Sequence, residues 1–429
     1  MMLDNTVVPL STAAEVSSHD DSMAKIYSFI SIKRKDKNTN KKIIHSILII
    51  VVVIFALFAS VYAVILDVNV QTMLARTAAG VLSDKLDTEV KIKTFYIKPD
   101  LRLHAEEVQV NDKMHLPMFY VGYVDAKVSL RDLRNELRVK RMTLDDVLVN
   151  LVVYEDEYFM NVLDLFGSHN EDDTDDKKKF DSKVHIEDFN LSKGHIVVWN
   201  QNKDKPEKLS MDYGHLDIDS IYMSANSLSF VDGVITGNLN NLSAAEKSGF
   251  VLDKFSSKSK FTVSSKGFEF KNLVLNSHET YLDLDLQFVY NNYRSFLTFV
   301  DSIMIIANIR PSQLTLSDLK YFSPTMGKMT DTLQIKGNIT GTVTDFTANN
   351  FEFSFKDSTN FLGTIRMKGL PNFFETHIVG HVEKMNFTYQ DISEFAIPTP
   401  DRKIPIPENL VTLKNALLSG EFYGFHNRS

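Results

Sequence analysis

Cysteine is absent from the chain, which excludes disulfides, thiolate metal ligands and a cysteine nucleophile. A basic excess is absent too. The formal net charge is −8, and a phosphate-binding surface needs a positive stripe, so nucleic acid is not an expected partner. Tryptophan occurs once. Helical periodicity is scarce beyond the first hundred residues. No P-loop, nucleophile elbow, H-E-x-x-H or EF-hand spacing occurs, so no catalytic residue, metal ligand or cofactor is nominated.

What is present is enough apolar side chain for a folded body. Hydrophobic residues make up 44% and charged residues 24% of 429 positions, with 30 Phe and 15 Tyr. Residues 1–42 form a polar, then basic, tail, in which Met1 or Met23 is the start and Lys33, Arg34, Lys35, Lys37, Lys41 and Lys42 cluster before an apolar run. That run, ILIIVVVIFALFASVYAVIL, carries no charge from Ile47 through Val53 and Phe58 to Leu66. Its length matches a hydrocarbon layer roughly 30 Å thick. Residues 43–66 are therefore expected to be a transmembrane helix; a cleaved signal peptide is the rival, but its apolar region is usually shorter, about 7–15 residues. The basic cluster places the N-terminus in the cytoplasm and the rest across the membrane. In a double-membraned bacterium that means a single-pass inner-membrane protein with its bulk in the periplasm.

Val70–Leu86 reads as a short helix with Val70, Leu74, Ala78, Val81 and Leu82 near one face. From Val90 onward the period changes to two, and turn signals recur at the spacing of an antiparallel all-β protein. The expected class is all-β and antiparallel, with one transmembrane helix and a few short helices. Asn161–Phe166 and Ser317–Phe322 are helical interruptions, Ser168–Lys183 is a charge-dense loop, and Ile397–Pro407 is too proline-rich for a central strand. The alternation is clearest where Leu282, Leu284, Leu286 and Phe288 oppose Asp283, Asp285 and Gln287, and where Phe351, Phe353 and Phe355 oppose Glu352 and Ser354. These seven apolar residues are the candidate lining, either of an ordinary core or of an apolar groove; alternation alone does not separate the two.

Two pairs deserve a chemical test. His377 and His381 fall on strand-like residues, about 13 Å apart at the rise of an extended chain, too far to share a metal. Asp283 and Asp285 point the same way about 7 Å apart, a separation also found between glycosidase carboxylates, but a solvated outer face accounts for them more simply.

The phrase Gly337-x-x-x-Gly341 in LQIKGNITGTVTDF returns as Gly420-x-x-x-Gly424, and Pro324 returns as Pro407, all at an offset of 83 (420 − 337). DEYFMNVLDLFG, with Asn161 and Leu163 ahead of its Gly, resembles the N-terminal region of the AsmA-like superfamily. The stretches Leu242–Tyr290, Ala307–Gly327 and Ile335–Phe355 resemble TamB-type (translocation and assembly module) proteins of the Bacteroidetes kind, and the resemblance covers most of Lys42–Ser429. It implies an elongated, curled antiparallel sheet around an apolar groove, with an AsmA-like N-terminal region at 67–167, a charged loop at 168–183, β-groove repeats at 184–396, and at 397–429 a linker and the opening of a further, incomplete repeat. A natural short homologue is the alternative to a fragment.

The resemblance implies phospholipid as a partner, held by its acyl chains in an apolar groove on the way to the outer membrane. It also implies a rival role in assembling outer-membrane β-barrels with a TamA-type barrel, and leaves room for a scaffold with a closed core. At about 12 residues per strand the region after the anchor would form about 30 strands, spanning on the order of 100 Å.

Overall fold

Side chains that alternate between apolar and polar build strands with one greasy face, and such strands must find cover for it. The computed structural model describes residues 37–129, 136–157, 160–162, 183–204, 211–322, 324–356, 358–372, 375–395 and 415–425. The chain divides into two units, Met1–Asp67 and Val68–Ser429.

In the first unit, α1 spans Lys37–Leu66. Its segment Leu48–Leu66 is 19 residues long and apolar enough to cross a membrane. Val53 and Phe58 are exposed along it, as expected of side chains meant for lipid, and Leu66 closes it. Ile47 lies on the same helix.

The second unit begins with α2 (Val68–Leu86) and continues as one sheet of 17 strands. These are β1 (Val90–Ile97), β2 (Arg102–Asn111), β3 (Pro117–Ser129), β4 (Glu136–Val153), β5 (Lys183–Asn200), β6 (Asp217–Val231), β7 (Val234–Glu246), β8 (Val251–Ser257) and β9 (Phe261–Ser264). They are followed by β10 (Gly267–Ser277), β11 (Thr280–Val289), β12 (Met304–Thr315), β13 (Thr332–Gly341), β14 (Asp345–Phe355), β15 (Thr359–Lys368), β16 (His377–Phe387) and β17 (Ala416–Phe425). Each strand pairs with the next in sequence, except that β8 and β9 share one lane between β7 and β10.

All pairings are antiparallel but one. β4 and β5 run parallel, from Glu136↔Lys183 to Val153↔Asn200. The expected antiparallel sheet is thus a mixed one. A parallel pair needs a connection of about a dozen residues or more, and residues 154–182 supply it. The charge-dense loop 168–182 belongs to that connection and lies outside the described residues, as do Leu163–Phe166 and the proline-rich 397–407. Because β4 and β5 share a ladder, the regions 67–167 and 184–396 are built on one sheet.

The described residues form seventeen strands where roughly 30 were expected of the whole region, and bulges that let strands run on account for part of the difference. VHIEDFNL and GHIVVWN, two strands by pattern, are both part of the 18-residue β5. Lys193, at φ 52°, absorbs the break between them. In register with it stand Asp146 of β4 at φ 58° and Glu107 of β2 at φ 46°, with Gly122 of β3 between. A Cβ on Gly122 would sit 2.9 Å from the Asp146 side chain, so only glycine fits there. A second row crosses the later strands at Asn272, Gly337, Asn350 and Gly420, each with positive φ at a shift in register. Bulges bend and twist a strand, and bulges aligned across neighbours crease the sheet. Pro311 falls at another such shift in β12, where no ladder bond is lost.

The creased sheet curls. Six inter-strand steps separate β4 from β11, which would be about 29 Å in a flat sheet. Yet Leu151 of β4 and Phe299, just after β11, line one cavity. Tyr213, ahead of β6, stacks on Phe299 at 5.4 Å, and the Met211 amide donates to the Tyr321 carbonyl at 2.7 Å, beyond β12.

Short helices occupy the concave side: 3-10 turns at Tyr293–Thr298, Leu316–Tyr321 and Pro324–Lys328, α3 (Phe299–Ser302) and α4 (Tyr389–Glu394). Leu316, Leu319, Met326, Met329 and Phe395 from these segments join Leu273, Leu284, Ala307, Ile309, Leu333, Ile335 and Phe355 in the main core cluster.

The two outer strands differ. β1 is capped by α2, whose Thr72 hydroxyl donates to the Phe95 carbonyl at 2.9 Å and accepts from the Phe95 amide at 3.0 Å. Gln71 makes the same double contact with Ile97, and Arg76 donates to the carbonyls of Ile92 and Lys93. On β17, paired with β16, Leu417, Leu418, Phe422 and Tyr423 are exposed, Tyr423 by 85%.

The repeat at offset 83 gives a paired test. A Cβ on Gly337 would meet the Phe351 Cα at 2.9 Å, whereas one on Gly420 meets nothing within 4 Å, at nearly equal φ. Gly420→Ala should cost about 1 kcal/mol from backbone strain alone, and Gly337→Ala about 2–4 kcal/mol because backbone must also move. Urea unfolding of the two variants measures the difference; equal losses would contradict the assigned role of Gly337.

Candidate functional site

An apolar cavity on the concave side has a volume of about 930 Å³, at the upper end of the ~300–1,000 Å³ common for small-molecule sites. Leu151, Val198, Phe230 and Val234 give its strand wall, and Met160, Val162, Tyr213, Leu216, Phe296 and Phe299 close it from the connecting segments. Asp232, Gly233 and Ser265, on the β6–β7 and β9–β10 turns, are exposed and form a polar rim.

Each wall is held in place by a specific contact. Phe296 and Phe299 belong to an aromatic group in which Phe296 meets Tyr290 at 5.0 Å and Phe268 at 5.6 Å, and Phe299 meets Phe288 at 5.8 Å. Tyr290 donates to the Ser264 carbonyl at 2.7 Å, fixing that group to the rim. Tyr213 sits on a loop locked by His215, which contacts Asp212 and lies 2.9 Å from the Asn200 carbonyl. Burial pushes the Tyr213 phenol up from its ordinary value, so this wall stays uncharged at neutral pH.

Met160 and Val162 flank Asn161, which is fully buried. Its amide nitrogen donates to Asp112 at 2.9 Å and to the Asn150 carbonyl at 3.3 Å, and its oxygen accepts from the Val152 amide at 3.0 Å. Asp112 also accepts from the amides of Met114 and Leu116 and from the Tyr154 hydroxyl. Burial pushes the Asp112 carboxyl up, but the bonds from Tyr154, Asn161 and the two amides outweigh it and leave it below the ordinary range. Asn161, singled out in the sequence beside Leu163, is thus a pin that ties the cavity wall to β4.

The seven candidate lining residues lie mostly elsewhere. Leu284 and Phe355 are buried in the main core cluster, and Leu282, Leu286, Phe351 and Phe353 pack against it. Phe353 stacks on Phe361 at 5.0 Å and Phe355 meets Phe395 at 5.1 Å; both border a smaller void of about 110 Å³. None of the seven lines the large cavity; Phe288 stands behind its wall, in contact with Phe299. In that stretch the side chains of Leu316, Leu319, Met326, Met329 and Phe395 fill the space beside them. The cavity lies over β4–β6, where the run VLVNLVVY in β4 was the available signal.

The other singled-out groups are structural in this geometry. Arg310 donates to Asp283 at 2.8 and 2.6 Å and lies 3.1 Å from Asp285. Burial raises the Asp285 carboxyl, while the Asn272 amide and Arg310 lower it further, leaving it below its usual range; a general acid needs the opposite shift. His377 and His381 are four positions apart on β16, and His381 lies 3.8 Å from Glu421. Among the described residues no group of three or more His, Asp or Glu is placed to hold a metal ion.

Compared with family models, curated proteins and solved structures, the chain matches none.

Two outcomes follow. Val198→Trp should lower binding of the fluorescent apolar probe N-phenyl-1-naphthylamine at least tenfold, while Leu284→Ala should cost about 2–5 kcal/mol of stability and leave probe binding unchanged; the reverse pattern would move the binding site to the core cluster. Asp112 has a folded-state pKa below its unfolded value of about 3.9, so its contribution is complete above that value and is lost as pH falls through the folded-state pKa. Asp112→Asn should therefore lower stability at pH 7 by about 1–3 kcal/mol and flatten the acid limb of a stability–pH curve below about pH 4.

Proposed function

We propose that the chain is an anchored lipid carrier of the bacterial envelope. In this reading α1 crosses the inner membrane with the N-terminus in the cytoplasm, and the curled sheet works in the periplasm, shielding phospholipid acyl chains on the way to the outer membrane. The observation that carries it is the apolar cavity with a polar rim, on a chain whose α1 is long and apolar enough to cross a membrane. The AsmA-like and TamB-type resemblance of the sequence favours the same reading.

The physics asks for no reacting group. Each methylene kept from water is worth about 0.8 kcal/mol, so a two-chain lipid with about 30 methylenes would meet a barrier of roughly 24 kcal/mol in crossing water bare. An apolar wall lowers that barrier, and a rim such as Asp232 and Ser265 leaves the headgroup wet. The sheet has 16 lanes, since β8 and β9 share one, so its contour along the hydrogen-bonding direction is about 72 Å. A compartment on the order of 200 Å wide would need further protein to be bridged.

A second reading, assembly of outer-membrane β-barrels with a TamA-type partner, is favoured by the exposed edge of β17, which can accept a strand by β-augmentation.

Photo-crosslinking amino acids at Val198 and Tyr423 separate the two. Lipid carriage gives phospholipid adducts at Val198, and barrel assembly gives protein adducts at Tyr423. Native mass spectrometry of the purified full chain should detect bound phospholipid; a lipid-free protein with no adduct at Val198 would leave a closed scaffold instead.

A further inference from the structure

α2 has the reverse polarity of a helix that packs on a sheet. At 100° per residue, Thr72, Arg76, Ala79 and Ser83 fall on one side. There Thr72 and Ala79 are buried, and Thr72 and Arg76, joined by Gln71 at the margin, spend their polar atoms on the edge of β1. Ser83 closes the series by accepting from the Val90 amide at 2.8 Å. The opposite side carries four exposed apolar side chains, with Thr77 and Asp84 among them: Met73 is 61%, Leu74 60%, Val81 54% and Leu82 45% exposed. The sequence pattern placed Leu74, Val81 and Leu82 near one face without saying what that face meets. The edge of β1 takes the polar side, because its unpaired amides and carbonyls need hydrogen-bonding partners more than the sheet needs another apolar stripe.

An apolar stripe of this size needs cover, and one apolar phase is always within reach. α1 ends at Leu66 and α2 begins at Val68, so a single residue separates the candidate membrane span from the stripe. We propose that α2 lies in the headgroup–acyl boundary of the bilayer, with Met73, Leu74, Val81 and Leu82 in lipid and its polar side gripping β1. Helices of this kind sit about 5–10 Å deep. Asp84, in the last turn, marks where the stripe meets water. The helix then has two tasks: it closes the edge of the sheet, and it holds that edge against the membrane surface. The inference rests on α1 being the anchor and is independent of whether the cavity carries lipid.

The absence of cysteine makes the test direct. Leu74→Cys, Val81→Cys, Phe58→Cys and Tyr423→Cys each give the full chain one site for an environment-sensitive fluorophore. Reconstituted in phosphatidylcholine–phosphatidylglycerol vesicles, labels at 74 and 81 should be quenched at least threefold more by lipid nitroxide near the headgroup than by aqueous iodide. The label at 58 should respond to nitroxide deep in the acyl region, and that at 423 to iodide. Lipid quenching at 58 with iodide quenching at 74 and 81 would overturn the proposal alone. Iodide quenching at 58 as well would overturn the anchor with it. Disulfide-linked dimers through Leu74→Cys would show that a second copy covers the stripe, and would also overturn it. A Leu74→Glu, Val81→Glu pair, read from a label at Met73→Cys, should move that label from lipid to iodide quenching and leave position 58 unchanged.

Discussion

A single sheet with one apolar face has nothing to lie against except itself. This constraint governs the second unit of the chain. Among the described residues there is no second sheet, and β1 to β17 curl until residues from β4 and from beyond β11 share one cavity, while Leu316, Leu319, Met326, Met329 and Phe395 fill concave surface elsewhere. The bulges at Glu107, Asp146 and Lys193, and at Asn272, Gly337 and Asn350, are the means of curling. They interrupt the ladder in register, so that many strands turn at one line.

Much of this was legible from residue order. Period-two alternation in YLDLDLQF and FEFSF marks which side chains face inward, and Leu284 and Phe355 are buried as it implies. The uncharged run to Leu66 gives a helix of membrane-spanning length, and SDLKYF gives a helical turn. These signals are local, and local patterns survive into the fold. What could not be read depends on distant partners. The parallel pairing of β4 with β5 is set by how the chain returns after 29 intervening residues (183 − 153 − 1). The face of α2 is decided by β1. The cavity lies where connecting segments stop short of filling the curl, and no periodicity encodes that. Asn161 was visible as a motif position, but its three hydrogen bonds appear only when Asp112 and β4 are brought beside it.

Polar groups inside this apolar body act as fasteners. Asp112 gathers four donors, His215 closes the loop that presents Tyr213, and Arg310 neutralises the acidic pair on β11. The carboxyls of Asp112 and Asp285 are both held below the ordinary range by partners that stabilise a resting charge, which is the behaviour of a scaffold built to keep its shape while its hollow stays apolar.

The unequal edges give the molecule a direction. β1 is sealed by Gln71, Thr72 and Arg76, whereas among the described residues no strand pairs with the far side of β17 and nothing lies within 4 Å of a Cβ on Gly420. Such a body resembles a zipper with one fixed stop: anything that lengthens it must be added at the far end, and each addition would carry the concave surface farther from the helix that blocks the near one.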